Sequence, residues 1–337
     1  MDTVESTRNK LIELLANNKE EYISGQVLSE KLQISRSGIW KHMKELEKDG
    51  YTIEGKSKKG YKIISYPDKL SENTLQWGLT TKWIGKTIIH KESTPSTQII
   101  AHQAALEGAP HGTVVIADEQ TKGKGRMDRS WYSEKNKGIW LSIIIRPAIL
   151  PYQAPQLTLL TATVLADVLR SYTSVKPLIK WPNDILINNK KTAGILTEMQ
   201  AEQDHIQYVV IGIGLNVNQT KSDLPEDIQN GATSLQLETN QHWQLKGIVQ
   251  NILATFENTY DSYIENGFPE IKDKWESFGF KIGEDISIKT LRDQWKATFL
   301  GIAADGALIT KTKDGKTKKL YSAEIEWFKG GENNDAD

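Results

Sequence analysis

The sequence predicts a multidomain α+β protein. A small helical module with a hairpin comes first, then a larger α+β domain around a mixed or antiparallel sheet, then a small β-barrel. Three observations predict this. Helical spacing occupies the first fifty residues and gives way to two alternating strands. Strand runs between residues 86 and 217 stand apart from the strongest helical run. Beyond about residue 275 only short strand runs and Asp-Gly turns remain. The expected domains are 1–66, 67–275 and 276–329, with a disordered tail at 330–337.

Leu11, Leu14 and Leu15 recur at i, i+3, i+4 and mark a first amphipathic helix. Ser24 can cap a second, carrying Val27, Leu28 and Leu32. After the turn "QIS", Ser35 can cap a third whose buried stripe is Ile39, Met43 and Leu46, and Gly50 ends it in the left-handed region. "YTIEGKSKKGYKII" then reads as two strands around a Gly- and Lys-rich turn. That order is the order of a winged helix–turn–helix. Ser35, Arg36, Ser37, Lys41 and Lys44 fall at the start or on the outward part of the third helix. Lys56, Lys58 and Lys59 cluster at the wing tip. Residues 31–66 hold nine Lys/Arg against four Asp/Glu, a net +5 in a chain whose formal charge is −1. Recognition helices put N-terminal side chains on base edges while basic wings neutralise phosphates, so DNA is the expected partner. A solvated charged face is the alternative.

"YPDKLSEN" (66–73) is a polar boundary. "KTIIHK" and "GTVVIAD" read as strands flanking a helix that starts near Ser96 and ends before Gly108. "KGIWLSIIIRP" is a long β-rich run. Residues 155–172 carry the strongest helical spacing, through Leu157, Leu160, Val164, Val168 and Leu169. "LIKWPNDILI", "NNKKTAGILTEMQAE" and "IQYVVIGIGLNVNQ" follow as strands, with Asn188-Asn189 a hairpin turn because Asn tolerates positive φ. A helix at 242–265 presents Leu245, Ile248, Ile252 and Phe256. The last strands are "DISIKT", "WKATFLGIA", "GALITKT" and "KKLYSAEIEWF".

Composition narrows the chemistry. The 337 residues are 38% hydrophobic and 25% charged, as in an ordinary globular protein. There is no cysteine, which excludes disulfides, Cys-zinc sites and thiolate catalysis. The six histidines include no pair at metal-ligand spacing, and no metal site is expected. The N-terminus is polar and no run approaches membrane-spanning length, so a cytoplasmic protein with no membrane partner is expected.

"GIGLNV" lacks the third glycine of a dinucleotide fingerprint, with Val217 in its place, and no P-loop occurs. "DEQTKGKGRMDRSW" (118–131) remains. Its glycines let backbone N–H groups approach an anion and its cations add attraction. Such a segment should be unstructured in the free protein and order around a ligand. Alone, "GKGR" could equally be a nucleic-acid contact or a mobile surface loop. It is joined by "STPSTQ" (93–98), "KWPND" (180–184), "KTAGILTE" and "GIGLNVN".

Together these segments resemble the bifunctional biotin ligases that double as biotin operon repressors, over nearly the whole chain, and the Gram-positive members in particular. The resemblance implies a class II synthetase-like central domain and an SH3-like C-terminal barrel. It implies biotin contacts from Ser96, Thr97, Gln98 and Gln120, and a loop, Gly123, Lys124, Gly125 and Arg126, that folds over biotin and its adenylate. Lys180 matches a lysine on the carboxyl and phosphate groups. Trp131, Gly194 and Asn216 match other pocket positions, Asn216 with Lys124, Arg126 and Lys180 on the nucleotide side. Residues 218–233 correspond to a loop over the adenine. The family usually has arginine at position 124, so Lys124 supplies a point charge in place of a planar fork. Taken singly, Ser96 could be only a helix cap and Trp131 only core.

The reaction so implied uses ATP with Mg²⁺ as co-substrate and biotin as substrate. Biotin's carboxylate attacks the α-phosphorus, and a lysine of the biotin carboxyl carrier protein then takes biotin from the adenylate. Lys180 and Arg126 are the expected catalytic cations. A homodimer formed with adenylate bound would meet a two-fold operator. A biotin sensor without catalysis and a lipoate ligase are the rival readings.

Overall fold

The structure, a computed structural model, describes residues 7–16, 21–48, 50–65, 67, 70–289, 293–321 and 323–327. The expected disordered tail at 330–337 and part of the expected boundary at 66–73 lie outside the described residues. The chain forms two compact units, 1–79 and 80–337.

The first unit contains α1 (Thr7–Ala16), α2 (Gly25–Leu32), α3 (Arg36–Lys48), β1 (Thr52–Lys56), β2 (Gly60–Ser65) and α4 (Glu72–Gln76). Leu11, Leu15, Leu28, Ile39, Met43 and Leu46 share one buried cluster with Tyr51 and Ile63. Val27, expected on the apolar face of α2, stays exposed, and Leu28 is the helix's fully buried contribution. The Ser24 hydroxyl accepts the Val27 N–H, and the Ser35 hydroxyl accepts the Gly38 N–H at 3.1 Å. At the end of α3, Gly50 has φ +97°. Its N–H reaches Glu47 O while the Tyr51 N–H reaches Leu46 O, the pair of bonds that closes a helix through a left-handed residue. β1 and β2 pair antiparallel, and Ile23 adds an isolated bridge to Tyr61. A Cβ on Gly60 would fall 2.0 Å from Ile23 O, so only glycine lets the wing join that bridge.

The second unit is built on a seven-stranded sheet. Its strands are β3 (Ile88–Lys91), β4 (Thr113–Ala117), β7 (Gly138–Ile145), β8 (Leu178–Lys180), β9 (Asp184–Ile187), β10 (Lys190–Glu202) and β11 (His205–Asn216), in the order β3-β4-β7-β11-β10-β9-β8. Only β3 and β4 run parallel, so the sheet is mixed and mostly antiparallel. Asn188 and Asn189 both have positive φ and turn β9 into β10. β5 (Gln120–Lys124) and β6 (Ser130–Ser133) form a separate hairpin.

Helices cover the sheet. α5 (Thr97–Leu106) buries Ala101 and Ala105 on Val115, Ile144, Tyr208 and Val210. The Arg146 guanidinium binds Ala105 O and Ala109 O, which satisfies carbonyls at the end of α5. α6 (Ala154–Thr173) lies on the other face, where its Thr158 hydroxyl reaches Thr197 of β10 at 2.8 Å. α7 (Leu235–Thr239), α8 (Leu245–Asn266) and α9 (Pro269–Phe278) follow, and α6 packs on α8 and α9. α9 is absent from the sequence expectations. Its short Ile271, Trp275, Phe278 stripe lies where strand signals begin. The C-terminal part is all-β, with β12 (Asp285–Lys289), β13 (Gln294–Ile302), β14 (Leu308–Thr312), β15 (Thr317–Leu320) and β16 (Glu324–Glu326) in the order β15-β14-β13-β12-β16. The run "KKLYSAEIEWF", expected as one strand, divides into β15 and β16 on opposite edges. Among the described residues, no helix is long and apolar enough to cross a membrane.

One carboxylate anchors the start of this unit. Glu257 of α8 is 4% exposed and accepts the N–H groups of Lys82 (2.6 Å), Trp83 (2.7 Å) and Ile84 (3.0 Å). Burial pushes its carboxyl up, but the three donors outweigh burial and leave it below the ordinary value. A carboxyl lowered by folding stabilises above its unfolded value and loses that contribution as pH falls through the folded one. Glu257→Gln should cost about 2 kcal/mol at neutral pH and flatten the acid limb of stability, measured by thermal melts across the acid range.

Candidate functional sites

Strand register assembles the larger site. Lys180, Asp184, Gly194, Gly214 and Trp140 are directly opposed across β8, β9, β10, β11 and β7. Opposed residues share a face. Leu196, Gly212 and Ser142 form the next row on that face, two residues along. α5 covers one end of the face and leaves the rest to the β5–β6 hairpin.

Segment 118–131, expected to be unstructured, is built into that hairpin. Gly123 stands opposite Trp131, where a Cβ would lie 2.3 Å from Trp131 O. The Gly125 N–H closes the turn on Arg129 O at 2.8 Å. Backbone bonds from β6 supply the order that the segment's own composition lacks. The hairpin lays Trp131 flat on the sheet glycines. A Cβ on Gly214 would stand 2.5 Å from the indole, one on Gly194 2.8 Å from it, and one on Gly212 2.6 Å from Gln98 Oε1.

A chain of polar groups runs under the hairpin. Gln98 donates through Nε2 to Leu196 O and Val210 O. Its Oε1 accepts from the Ser142 hydroxyl at 2.9 Å, and Ser142 Oγ lies 2.9 Å from Thr97 Oγ1. Gln120 Oε1 accepts the Thr97 N–H at 2.8 Å and lies 3.1 Å from Thr97 Oγ1. Gln120 Nε2 donates to Ser133, whose hydroxyl donates to Trp131 O. Ser96 caps α5 through the Gln98 N–H. One helical turn on, His102 stands 3.2 Å from Glu198, and its hydrogen bond leads the effects that hold the Glu198 carboxyl below its ordinary value.

Ser96, Thr97, Gln98, Gln120 and Ser142 line a cavity of about 1520 Å³ that also takes in residues of β12 and β16. Among the described residues, Lys124, Arg126, Arg129, Lys180, Lys191 and Lys289 line it against three carboxylates, Asp184, Asp293 and Glu326. Lys180 is 8% exposed. Lys191 Nζ stands 3.1 Å from Asp184 Oδ1 and 5.5 Å from the centre of the Trp131 ring. Arg126 donates to Asn183 Oδ1 at 3.0 Å, and Asn183 in turn donates to Ile195 O. The "GKGR" and "KWPND" segments are therefore joined through Asn183.

Ser96, Thr97, Gln98, Gln120, Lys124, Gly125, Arg126, Trp131, Lys180 and Gly194 all line this cavity, with Gly123 buried in the hairpin beside it. Asn216 does not line it. Its amide donates to Thr233 O and accepts from Gln219, holding together the two ends of segment 217–233. That segment is tied to Lys137 through Asp223 at 2.9 Å, and to the Lys191 backbone through Gly231 and Thr233. Ser142, Asn183, Lys191, Gly212 and Gly214 line the cavity beyond the residues expected to contact ligand from the sequence. A bulge between Lys191 and Ala193 sets Gly194, in place of Ala193, opposite Asp184, and plain counting from the Asn188-Asn189 turn does not find it.

The smaller site lies on the first unit. Ser35, Arg36, Ser37, Lys41 and Lys44 on α3 and Lys56, Lys58 and Lys59 on the wing are all exposed. Lys44 pairs with Glu47 at 2.6 Å and Lys56 with Glu54 at 3.2 Å.

Three family descriptions match the chain: an HTH domain over 7–62, the biotin/lipoate A/B protein ligase family over 91–216, and a biotin protein ligase C-terminal domain over 281–327. The bifunctional ligase/repressor BirA of Bacillus spizizenii is 46% identical over 95% of this chain and 98% of its own. That of Escherichia coli is 27% identical over 94% and 95%. A structure of the biotin protein ligase of Aquifex aeolicus in complex with biotin and ATP covers 72% of this chain and 98% of its own, at 29% identity and a TM-score of 0.62. With a helix–turn–helix ahead of a glycine-floored, cation-lined ligase domain, this chain belongs to the bifunctional biotin ligase/repressor family.

Proposed function

We propose that this chain activates biotin with ATP and Mg²⁺ to biotinyl-5′-AMP and passes biotin to a lysine of a biotin carboxyl carrier protein. As an adenylate-bound homodimer it represses transcription at operator DNA, working in the cytoplasm. The observation that carries the reading is one cavity with a polar chain at its floor and, among the described residues, twice as many cations as carboxylates along its walls. The relatives named ligase/repressor and the ligase bound to biotin and ATP support it. Domain limits of 67–275 and 276–329, a class II synthetase-like centre and an SH3-like C-terminal barrel accord with the same family.

In this reading Ser96, Thr97, Gln98 and Gln120 hold the biotin ring, while Trp131 over Gly194 and Gly214 forms an apolar wall. In the first step the carboxylate oxygen bonds to the α-phosphorus and pyrophosphate leaves. Two anions must meet, so fixed cations supply most of the help. Lys180 is the buried one and Arg126 the one brought in by the hairpin. Lys124, with Lys191, adds charge beside the nucleotide, and Gly123 and Gly125 let the backbone wrap. Asn216 serves the nucleotide through segment 217–233. Mg²⁺ arrives on the phosphates. In the second step the carrier amine attacks the carbonyl, AMP leaves and the amine sheds its proton. The mixed anhydride hydrolyses when wetted, which gives the hairpin's cover its purpose.

Pyrophosphate release from ATP and Mg²⁺ should depend on biotin, be absent with lipoate, and fall about a hundredfold or more in Lys180→Ala. Tight biotin binding without release would return the chain to the sensor reading. Arg126→Gly should lose adenylate about tenfold faster and label bystander lysines, seen by chasing labelled intermediate and by blotting for biotin. Gly214→Ala should push Trp131 off the sheet and weaken biotin by about 1–3 kcal/mol, read by calorimetry.

A further inference from the structure

On α3, Arg36, Trp40 and Lys44 recur every four residues, with Ser37 and Lys41 beside them, so the five share one outward stripe. The opposite stripe, Ile39, Met43 and Leu46, is spent on the domain's hydrophobic cluster. Trp40 has no place in that cluster and is 55% exposed. A large indole held in water among cations fits a partner that is anionic and also offers an apolar spot at fixed depth.

Duplex DNA has both: phosphates border the major groove, and the thymine C5-methyl is an apolar feature on its base edges. Helical side chains lean towards the N-terminus, so the Trp40 ring lies over the turn of Arg36 and Ser37. Recognition helices bring that end to the bases. An anionic membrane would instead need a continuous apolar face on the helix, and the apolar face of α3 is already buried.

We propose that Trp40 is a specificity-determining residue of the DNA-binding unit, its indole packing on a thymine methyl beside the base edges that Arg36 and Ser37 face, while Lys41 and the wing cations Lys58 and Lys59 meet phosphates. The proposal rests on the DNA-binding reading above. The test uses the full chain with biotin, ATP and Mg²⁺, and duplexes with a randomised core from which the wild type enriches a site. Wild type, Trp40→Ala and Trp40→Phe are then compared on the enriched duplex, on an unrelated duplex, and on enriched duplexes with single thymines replaced by uracil, which removes only the methyl.

Trp40→Ala should bind the enriched duplex about tenfold more weakly and the unrelated duplex as wild type does. Uracil at one position should cost the wild type a similar factor and Trp40→Ala nothing. Trp40→Phe, which keeps an aromatic ring, should retain most of the affinity and the uracil sensitivity, which separates lost contact from lost folding. Equal losses on both duplexes, or no uracil sensitivity in wild type and Trp40→Phe, would overturn the role of Trp40 while leaving DNA binding intact. A wild type that enriches no sequence would overturn the DNA-binding reading itself. Trp40-dependent binding to phosphatidylglycerol vesicles in its place would move the indole to a membrane.

Discussion

Gly194 on β10 and Gly214 on β11 stand directly opposed in the middle of the large sheet, and the hairpin's Trp131 occupies the space their missing side chains leave. Any Cβ there would meet the indole well inside contact distance. With Trp131 lying flat, β6 is fixed above the sheet, β5 is fixed by pairing with β6, and the turn that joins them brings Arg126 to Asn183. Gly212, one row further on, does the same for the Gln98 amide. A mobile-looking basic segment is thereby given a seat by residues distant in the chain, on β10 and β11.

The cations of the site are held in different ways. Lys180 is buried at a strand end, Lys191 stands against Asp184 and over the indole, and Arg126 is presented by a hairpin turn. Strand-borne charges keep their position when a ligand enters, which suits a reaction whose barrier is the approach of two anions. The turn-borne charge is held by its bond to Asn183 and by the hairpin that carries it. Asp184 is paired with Lys180 across β8 and β9, and its carboxylate stands 3.1 Å from the Lys191 ammonium, whose charge it offsets.

Much of this was legible in the chain. The three helices of the first unit, their caps at Ser24 and Ser35 and the stop at Gly50 follow from local spacing and local hydrogen bonds, and the structure has each of them. The Asn188-Asn189 turn and the run buried as α6 were equally plain. What escaped depends on contacts distant in sequence. The 118–131 segment looked disordered because its partner, β6, begins within the same stretch and its seat lies on β10 and β11. Asn216 looked like a pocket residue, yet its amide bonds lead to Thr233 and Gln219. Lys191 reaches Asp184 across a bulged stretch of the β9–β10 pairing, which no local pattern announces. α9 went unseen because its short apolar stripe blends into the strands that follow.

The polar chain beneath the hairpin has a consequence for which acids can enter. Three oxygen–oxygen contacts, Gln120 to Thr97, Thr97 to Ser142 and Ser142 to Gln98, are served by only two hydroxyl hydrogens. With Thr97 donating to Gln120 Oε1 and Ser142 to Gln98 Oε1, both hydrogens are spent within the protein, and the contact between the two hydroxyl oxygens has none of its own. A ring carrying N–H groups satisfies them. A ring of carbon and sulfur alone would cover them unmatched, at about 1–3 kcal/mol for each group left dry. If the biotin ring is seated on this polar chain as proposed, discrimination between two carboxylic acids with similar tails rests at the far end of the molecule from the carboxylate that reacts.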